Sequence, residues 1–397
     1  MDLFRPLESG IRQNIEALPF LVDKTFPLPR RFRAGLPRDI AELSRLLTQD
    51  RGERREGYLG MPNYLSAYLR YFLPWNVYRL SRLLPQLPIE LNDASEICDL
   101  GSGPLTFAIA LWISRPQLRK LNLKFRCIDQ TGAVLEAGKR LFAALNPSWE
   151  IKTIRGEIRR NGTLSVHSPG KTAGLVTAVN VFNELFWNLS PADTGGIKVL
   201  AEKQARLLSS LADASGAILI VEPGIPRSGE FISLLRAAFL EAGLSLLAPC
   251  THSLACCLPG LKAGKKSRWC HFAFDTQDAP LELHKLSEAA GIPKERAVLS
   301  FLMAAKTEAG QAKLASPNAK VLEQPRGLIK ARVISDAFPV GNDRLWGHYC
   351  CCEKGLILAT GQKPEAFAFA SGNLAEFTVG KEKDKVSGAL LAQISHR

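Results

Sequence analysis

Residues 96–145 constrain the fold more than any other stretch of this chain. EICDLGSG reads as a strand running into a glycine-containing turn, and LTFAIALWIS continues as an apolar helix. KFRCIDQ is a second strand ending in Asp129, followed by the helix TGAVLEAGKRLFAAL. Strands joined through a helix run parallel, because a crossover is needed to bring the chain back to the same edge. The alternation therefore predicts an open α/β sheet with helices on its faces, and it directs attention to the carboxyl edge, where such sheets bind ligands.

Later segments extend the same sheet. KTAGLVTAVNVFNEL runs into Asn180, Asn183 and Glu184, and GAILIVEPG ends in Glu222, Pro223 and Gly224, so both ends should face the same crevice. ERAVLSFLMAAK (295–306) reads as a late strand returning to the sheet. Before the sheet, residues 1–90 place Leu, Tyr and Phe at three- and four-residue spacing, with Pro29, Pro37, Pro74 and Pro85 as breaks, which predicts a helical region. Five of its tyrosines lie beside Arg54, Arg55, Arg70, Arg79 and Arg82. Such a face can stack on nucleotides, although core packing is the commoner use of aromatic residues. Residues 307–326 are polar and carry Pro317 and Pro325, the composition of a linker. Beyond them IKARVISDAF, LWGHYCCCEKGLILATG and AFAFASGNLAEFTV read as strands of a small barrel-like β-module over 327–397. The organisation expected is thus 1–90 helical, 91–306 Rossmann-like, 307–326 linker and 327–397 β-module.

The turn Asp99-Leu100-Gly101-Ser102-Gly103-Pro104 lets the backbone approach a ligand at its two glycines, and Asp129 is placed to accept hydroxyl hydrogen bonds from a ribose. A third glycine is missing, so the dinucleotide fingerprint is incomplete. A carboxylate-bearing nucleoside such as S-adenosylmethionine fits better. Asp99, Gly101, Ser102, Gly103, Asp129 and Asn180 are the expected cofactor contacts.

Seven of the nine cysteines fall into two clusters: Cys250, Cys256, Cys257 and Cys270, then Cys350, Cys351 and Cys352. The Cys-x5-Cys-x13-Cys run leaves a fourth ligand position that the remote triplet can fill, a metal or iron–sulfur pattern. Buried thiols in a core are the plain alternative, but His252, His271 and a Lys/Arg-rich turn are not core composition. The formal net charge of +13 and pI near 9.4 favour a polyanionic partner, RNA or DNA. No apolar run approaches a membrane span, and MDLFRPLESG lacks the apolar region of a secretory signal. A cytoplasmic protein with reduced thiols is expected.

These segments together resemble the Rsm-type small-ribosomal-subunit methyltransferase-like family of bacteria and mitochondria. The resemblance covers about residues 55–360 and rests on DLGSGP, CIDQTGAVLEAGKRL, NVFNELF, VEPGIPRSG, APCTHSLACCLPG, WCHF and GHYCCCEKG. It implies a Rossmann-like S-adenosylmethionine-dependent methyltransferase fold with a cysteine-rich metal-binding insertion (249–272) and a C-terminal β-module. It also implies a 4Fe–4S cluster and a role in assembling the small ribosomal subunit on its rRNA, the chain acting as a monomer. Carried over residue by residue, the cluster ligands are Cys250, Cys256, Cys270 and Cys351, although Thr251 replaces the family's proline and Cys257 stands where it has another. Cys350 and Cys352 share the opposite strand face from Cys351. Residue types alone suit zinc as well as 4Fe–4S.

Lys262, Lys265, Lys266 and Arg268 would face phosphate if the cluster pins the ends of their loop, or would form a solvated turn. For methyl transfer itself the equipment is thin. There is no Asn/Asp-Pro-Pro-aromatic run for attack by an amino group, and no strand-end Pro-Cys loop for attack on a pyrimidine carbon. Asn183 and Glu184 are the best-placed polar candidates. Three readings stand: an RNA methyltransferase, a non-catalytic assembly factor with a structural metal, and a small-molecule methyltransferase.

Overall fold

Amphipathic spacing and prolines organise the beginning of the chain. A computed structural model describes every residue except 1, 51, 53–56, 146–147, 167–169, 191–192, 261–267, 307–327, 342–344 and 395–397. Helix α1 (Ser9–Thr25) buries Ile11, Ile15, Leu18 and Val22 along one face, and the single turn α2 (Arg30–Arg33) buries nothing. Helix α3 (Leu36–Thr48) starts at Pro37 and buries Ile40 and Leu43. Helices α4 (Pro62–Ala67) and α5 (Leu73–Leu83) are joined by a π-helical turn, Tyr68–Phe72. Pro74 has no N–H to offer the Arg70 carbonyl, so α-helical bonding is broken where the π turn stands.

The sheet then forms as the alternation demands. In chain order come β1 (Glu96–Leu100), α6 (Thr106–Ser114), β2 (Lys124–Asp129), α7 (Gly132–Leu145) and β3 (Glu150–Arg155). A short hairpin, β4 (Glu157–Ile158) with β5 (Leu164–Ser165), leads to β6 (Ala173–Val179), α8 (Asn183–Phe186), α9 (Thr194–Leu211), β7 (Ala212–Pro223) and α10 (Pro226–Glu241). After β8 (Leu244–Ala248), the ribbon β9 (Pro259–Gly260) and β10 (Arg268–Trp269) precedes β11 (Phe272–Asp275), α11 (Leu281–Ala289) and β12 (Arg296–Lys306). The strand order is β3-β2-β1-β6-β7-β12, with β11 and β8 both on β12. Strands β3, β2, β1, β6 and β7 are parallel and β12 runs antiparallel to β7. One apolar core joins the sheet to α1, α5, α6 and α7, and the other lies under α9 and α10. The architecture is a Rossmann-like doubly wound sheet whose carboxyl ends open between β1 and β6, where the strand order reverses. Helices of residues 1–90 share the first core with the sheet, and Phe4 packs its ring on Phe272 and Phe274 at 5.5 and 5.0 Å between centroids.

The C-terminal module comprises β13 (Leu328–Val333), β14 (Phe338–Val340), β15 (Leu345–Cys352), β16 (Gly355–Gly361), α12 (Lys363–Phe367), β17 (Leu374–Lys383) and β18 (Leu390–Gln393). Pairing runs β13-β17-β18-β16-β15, and β13 also pairs with β15, which closes the ring and leaves β14 on the outside of β15. Ile329, Ala331, Val333, Ile357, Ala359 and Phe377 fill its interior. One expected strand is corrected here. AFAFA begins inside α12, because Pro364 sits in the first turn and Gln362 with Glu365 forms a reciprocal capping box, so the strand starts only at Leu374. The linker expected at 307–326 lies outside the described residues.

Candidate functional site

Two constellations stand out, one at the carboxyl edge of the sheet and one between the sheet and the barrel.

At the edge, Asp99 in β1 is buried, and its Oδ1 accepts a 2.6 Å bond from Thr177 Oγ1 on the neighbouring β6. Its Oδ2 has no partner. Burial pushes this carboxyl up to about 7. The turn after it is held by both glycines in the left-handed region, φ +62° at Gly101 and +52° at Gly103. Asp129, at the end of β2, accepts from the Gly103 N–H through Oδ2 (3.0 Å) and from the Thr131 N–H through Oδ1 (2.9 Å). A crevice lined by Tyr68, Asp99, Gly101, Ser102, Gly103, Thr106, Phe107, Val179 and Asn180 thus brings five of the six expected cofactor contacts together, with Asp129 bonded to the turn behind. It is tightly closed, with about 20 Å³ of open volume. Pockets that enclose small ligands run to roughly 300–1,000 Å³. Tyr68, the first residue of the π turn, stands over it, its hydroxyl pushed up by burial and by the neighbouring Tyr58, Glu184 and Asp129.

Two non-glycine residues, Leu105 (φ +59°) and Asn180 (φ +57°), take left-handed backbone conformations beside this crevice, a strain that persists only where the surroundings impose it. Asn180 is held through its Oδ1, which accepts 2.8 Å from Arg79 Nη2. Arg79 also donates to Asn76 Oδ1 (2.9 Å) and to the Val298 carbonyl (3.2 Å), and burial lowers it to about 10, still charged at neutral pH. Glu222, at the end of β7, is fully buried and pushed up to about 7 by that burial. It accepts from the N–H groups of Val181, Phe182 and Asn183 and from Asn183 Nδ2, all within 3.1 Å. The side chain of Asn183 is therefore spent in part on holding its own loop, whereas Glu184 stands at the crevice mouth within electrostatic reach of Tyr68 and Asp129. Tyr68 and Arg79 enter the site from the helical region, where aromatic and arginine content alone suggested packing or stacking.

The second constellation gathers thiols from three segments. Cys250 follows β8, Cys256 and Cys257 precede the β9–β10 ribbon, Cys270 follows it, and Cys351 comes from β15 of the barrel. Cys257 Sγ lies 3.6 Å from Cys351 Sγ, which is also 3.6 Å from His252 Nε2. Burial, and the charge of Cys250, Cys256 and Cys257, push the Cys270 thiol well up. Cys351 faces this group, while Cys350 and Cys352 point into the barrel's own core. The strand's two-residue period puts the middle thiol of the triplet opposite its neighbours, and barrel closure decides which side is inward. Arg236 of α10 donates to Cys250 Sγ (3.3 Å) and to the carbonyls of His252 (2.8 Å) and Leu254 (2.7 Å). Among the described residues, no group of three or more His, Cys, Asp or Glu side chains is drawn into coordinating geometry.

Of the residues expected to meet nucleic acid, Lys262, Lys265 and Lys266 lie outside the described residues. Arg268 is described and engaged, bonding the Ser387 carbonyl at 2.6 Å with its guanidinium over the Tyr349 ring.

Residues 88–338, more than half of the chain, match the family model described as mitochondrial small ribosomal subunit Rsm22. The chain belongs to the Rsm22 family. No curated protein matches it. Solved structures similar to it include a putative RNA methyltransferase from Pyrococcus horikoshii (9% identity, 59% of this chain and 84% of that one, TM-score 0.30). Geranyl diphosphate C-methyltransferase from Streptomyces coelicolor (8%, 55% and 74%, TM-score 0.30) and the plantazolicin methyltransferase BpumL with SAH (12%, 75% and 99%, TM-score 0.30) are others. At such scores these likenesses decide nothing about function. The Rsm22 match ends inside the barrel, at residue 338, so Cys351 lies beyond it. No described helix is long and apolar enough to cross a membrane.

Proposed function

We propose that this Rsm22-family chain binds S-adenosylmethionine in the crevice and acts as an rRNA-contacting, methyltransferase-like protein of the small ribosomal subunit, in a reducing compartment that holds such subunits. The observation that carries the cofactor reading is Asp99, a buried carboxylate with one oxygen unpartnered beside a left-handed glycine turn at the carboxyl end of β1. A cationic α-amino group is the partner such an oxygen lacks. Asp129 and Asn180 stand where a ribose and the rest of the nucleoside would lie. Bound S-adenosylmethionine supplies an electrophilic methyl group. The chain's own residues bind and orient it, and Tyr68 must swing aside to admit it into so narrow a crevice.

In this proposal the thiols hold a metal centre through Cys250, Cys270, Cys351 and one of Cys256 and Cys257, with 4Fe–4S as the group that the family resemblance favours. What supports it is the donor set: thiols from separate segments converge in a buried place where their own ionisation is disfavoured, and a bound cation removes that penalty. The 3.6 Å between Cys257 and Cys351 is close to the sulfur spacing of about 3.8 Å around tetrahedral zinc with its bonds of about 2.3 Å, so metal analysis has to separate the two.

A second reading has an observation of its own. Asn183 is bonded to Glu222, Arg79 occupies Asn180, and the crevice leaves little room for an acceptor, which favours an assembly factor that binds the cofactor without turnover. Calorimetry with S-adenosylmethionine tests the common core, and methyl transfer to precursor small subunits, free rRNA and small acceptors tests the rest. Absence of binding refutes the crevice reading. Binding without transfer selects the assembly factor.

A further inference from the structure

Two buried arginines face the thiols, and the metal reading leaves them unexplained. Arg236 is 3% exposed, and its described hydrogen-bond partners are the Cys250 sulfur and two carbonyls, none of them a carboxylate. Arg332, 6% exposed, donates to the Pro249 carbonyl (3.1 Å), one residue before Cys250, and to the Gly372 carbonyl (2.8 Å). It comes from β13, next to the β15 strand that carries Cys351, with Arg332 and Cys351 directly opposite in register. One guanidinium therefore approaches from the sheet side and the other from the barrel side.

A buried guanidinium without a counter-ion is strongly unfavourable, because carbonyl dipoles replace only part of the lost hydration. Neutral thiols do not supply the missing negative charge. A centre ligated by four thiolates does, since four negative charges exceed those of a zinc ion or of an oxidised 4Fe–4S core and leave a net negative site. Resting on the metal reading above, we infer that Arg236 and Arg332 are the counter-cations of this thiolate-ligated centre, and that the Arg236 N–H···S bond tunes its reduction. Arg236 is a positioning residue in this account: it holds the 250–254 loop and the charge of the centre, and binds no metal itself. A hydrogen bond and a positive charge at a ligand sulfur favour the more negative, reduced state, so their removal makes one-electron reduction by dithionite harder.

The test uses the full chain purified anaerobically, with Arg236→Gln, Arg236→Lys, Arg332→Gln and Arg332→Lys. Metal content by elemental analysis comes first, then the rate of metal release to a chelator. For an iron-containing site the midpoint potential in a dithionite titration follows. Arg236→Gln should release metal faster, by about the 10–100-fold typical of outer ligand partners, and should shift the potential to more negative values. Arg236→Lys keeps the charge while losing the planar fork, and should recover most of both. The Arg332 pair, on the opposite face, should repeat the pattern and covers the case in which Arg236→Gln does not fold. Equal release rates in wild type and the Gln variants overturn the inference. So does a Lys variant as impaired as Gln, which would make the arginine a loop pin alone. A metal-free wild type overturns the metal reading itself, and zinc in place of iron leaves the release-rate comparison to decide.

Discussion

Gly101 offers the sharpest test of how the cofactor turn is built. A Cβ added there would stand 3.1 Å from Val181 Cγ1 and 3.3 Å from Val181 Cβ, with Cγ2 closer still, in a backbone already at φ +62°. At Gly103, with φ +52°, an added Cβ meets nothing within 4 Å. Both alanine substitutions pay the left-handed penalty of roughly 1–2 kcal/mol. Only Gly101→Ala adds overpacking, typically about 1–3 kcal/mol, for a total of about 2–5 kcal/mol, a large share of a domain's roughly 5–15 kcal/mol. Urea unfolding followed by circular dichroism should therefore show Gly101→Ala clearly less stable than Gly103→Ala. Shortening the obstacle with Val181→Ala should return about 1–3 kcal/mol to Gly101→Ala and nothing to Gly103→Ala. The Gly103 variant should instead lose S-adenosylmethionine affinity in calorimetry, since its new methyl group stands in the crevice. Equal stability of the two variants, or no rescue by Val181→Ala, would refute the proposed packing of the turn.

Three further outcomes are expected. Asp99 carries a folded value near 7 against an ordinary 3.8, so ionising it opposes folding and its contribution to stability falls as pH rises from about 4 to 7. Asp99→Asn should lose less stability than wild type between pH 5 and pH 8, and wild-type S-adenosylmethionine affinity should rise over about pH 6–7, then decline above about 8 as the ligand's α-amino group deprotonates. A flat wild-type affinity profile would remove Asp99 from the ammonium site. Anaerobically purified protein should be brown, with about four irons and four sulfides per chain. Cys270→Ser should abolish this, while Cys98→Ser and Cys127→Ser, whose thiols are fully buried in β1 and β2, should retain it; a Cys270→Ser protein with wild-type iron would end the cluster assignment. Finally, the logarithm of affinity for small-subunit rRNA should fall linearly with the logarithm of salt concentration, and Lys265→Glu with Lys266→Glu should flatten the slope. A salt-independent association, or an unchanged slope, argues against that loop.

What the sequence by itself determined was local and periodic. The strand, glycine turn, helix and acid of residues 96–129 could be read because each depends on neighbours a few positions away, and the parallel core of the sheet followed from the lengths of the crossovers. The same local logic was available at residues 362–367, where Gln362, Pro364 and Glu365 signal a helix start, but the alternating AFAFA pattern outweighed it. Two-residue periodicity likewise separated Cys351 from Cys350 and Cys352 without saying which side is buried. That was decided by the β13–β15 pairing, which closes the barrel and turns Cys350 and Cys352 inward. Only tertiary structure could bring Tyr68 and Arg79 over a crevice built some 20–100 residues later, or set Arg236 against Cys250 and Arg332 across from Cys351. These contacts join side chains whose sequence separation carries no periodic signal, and they depend on how whole elements pack: a π turn displaced by Pro74, a helix laid across the sheet, and a barrel docked on its flank.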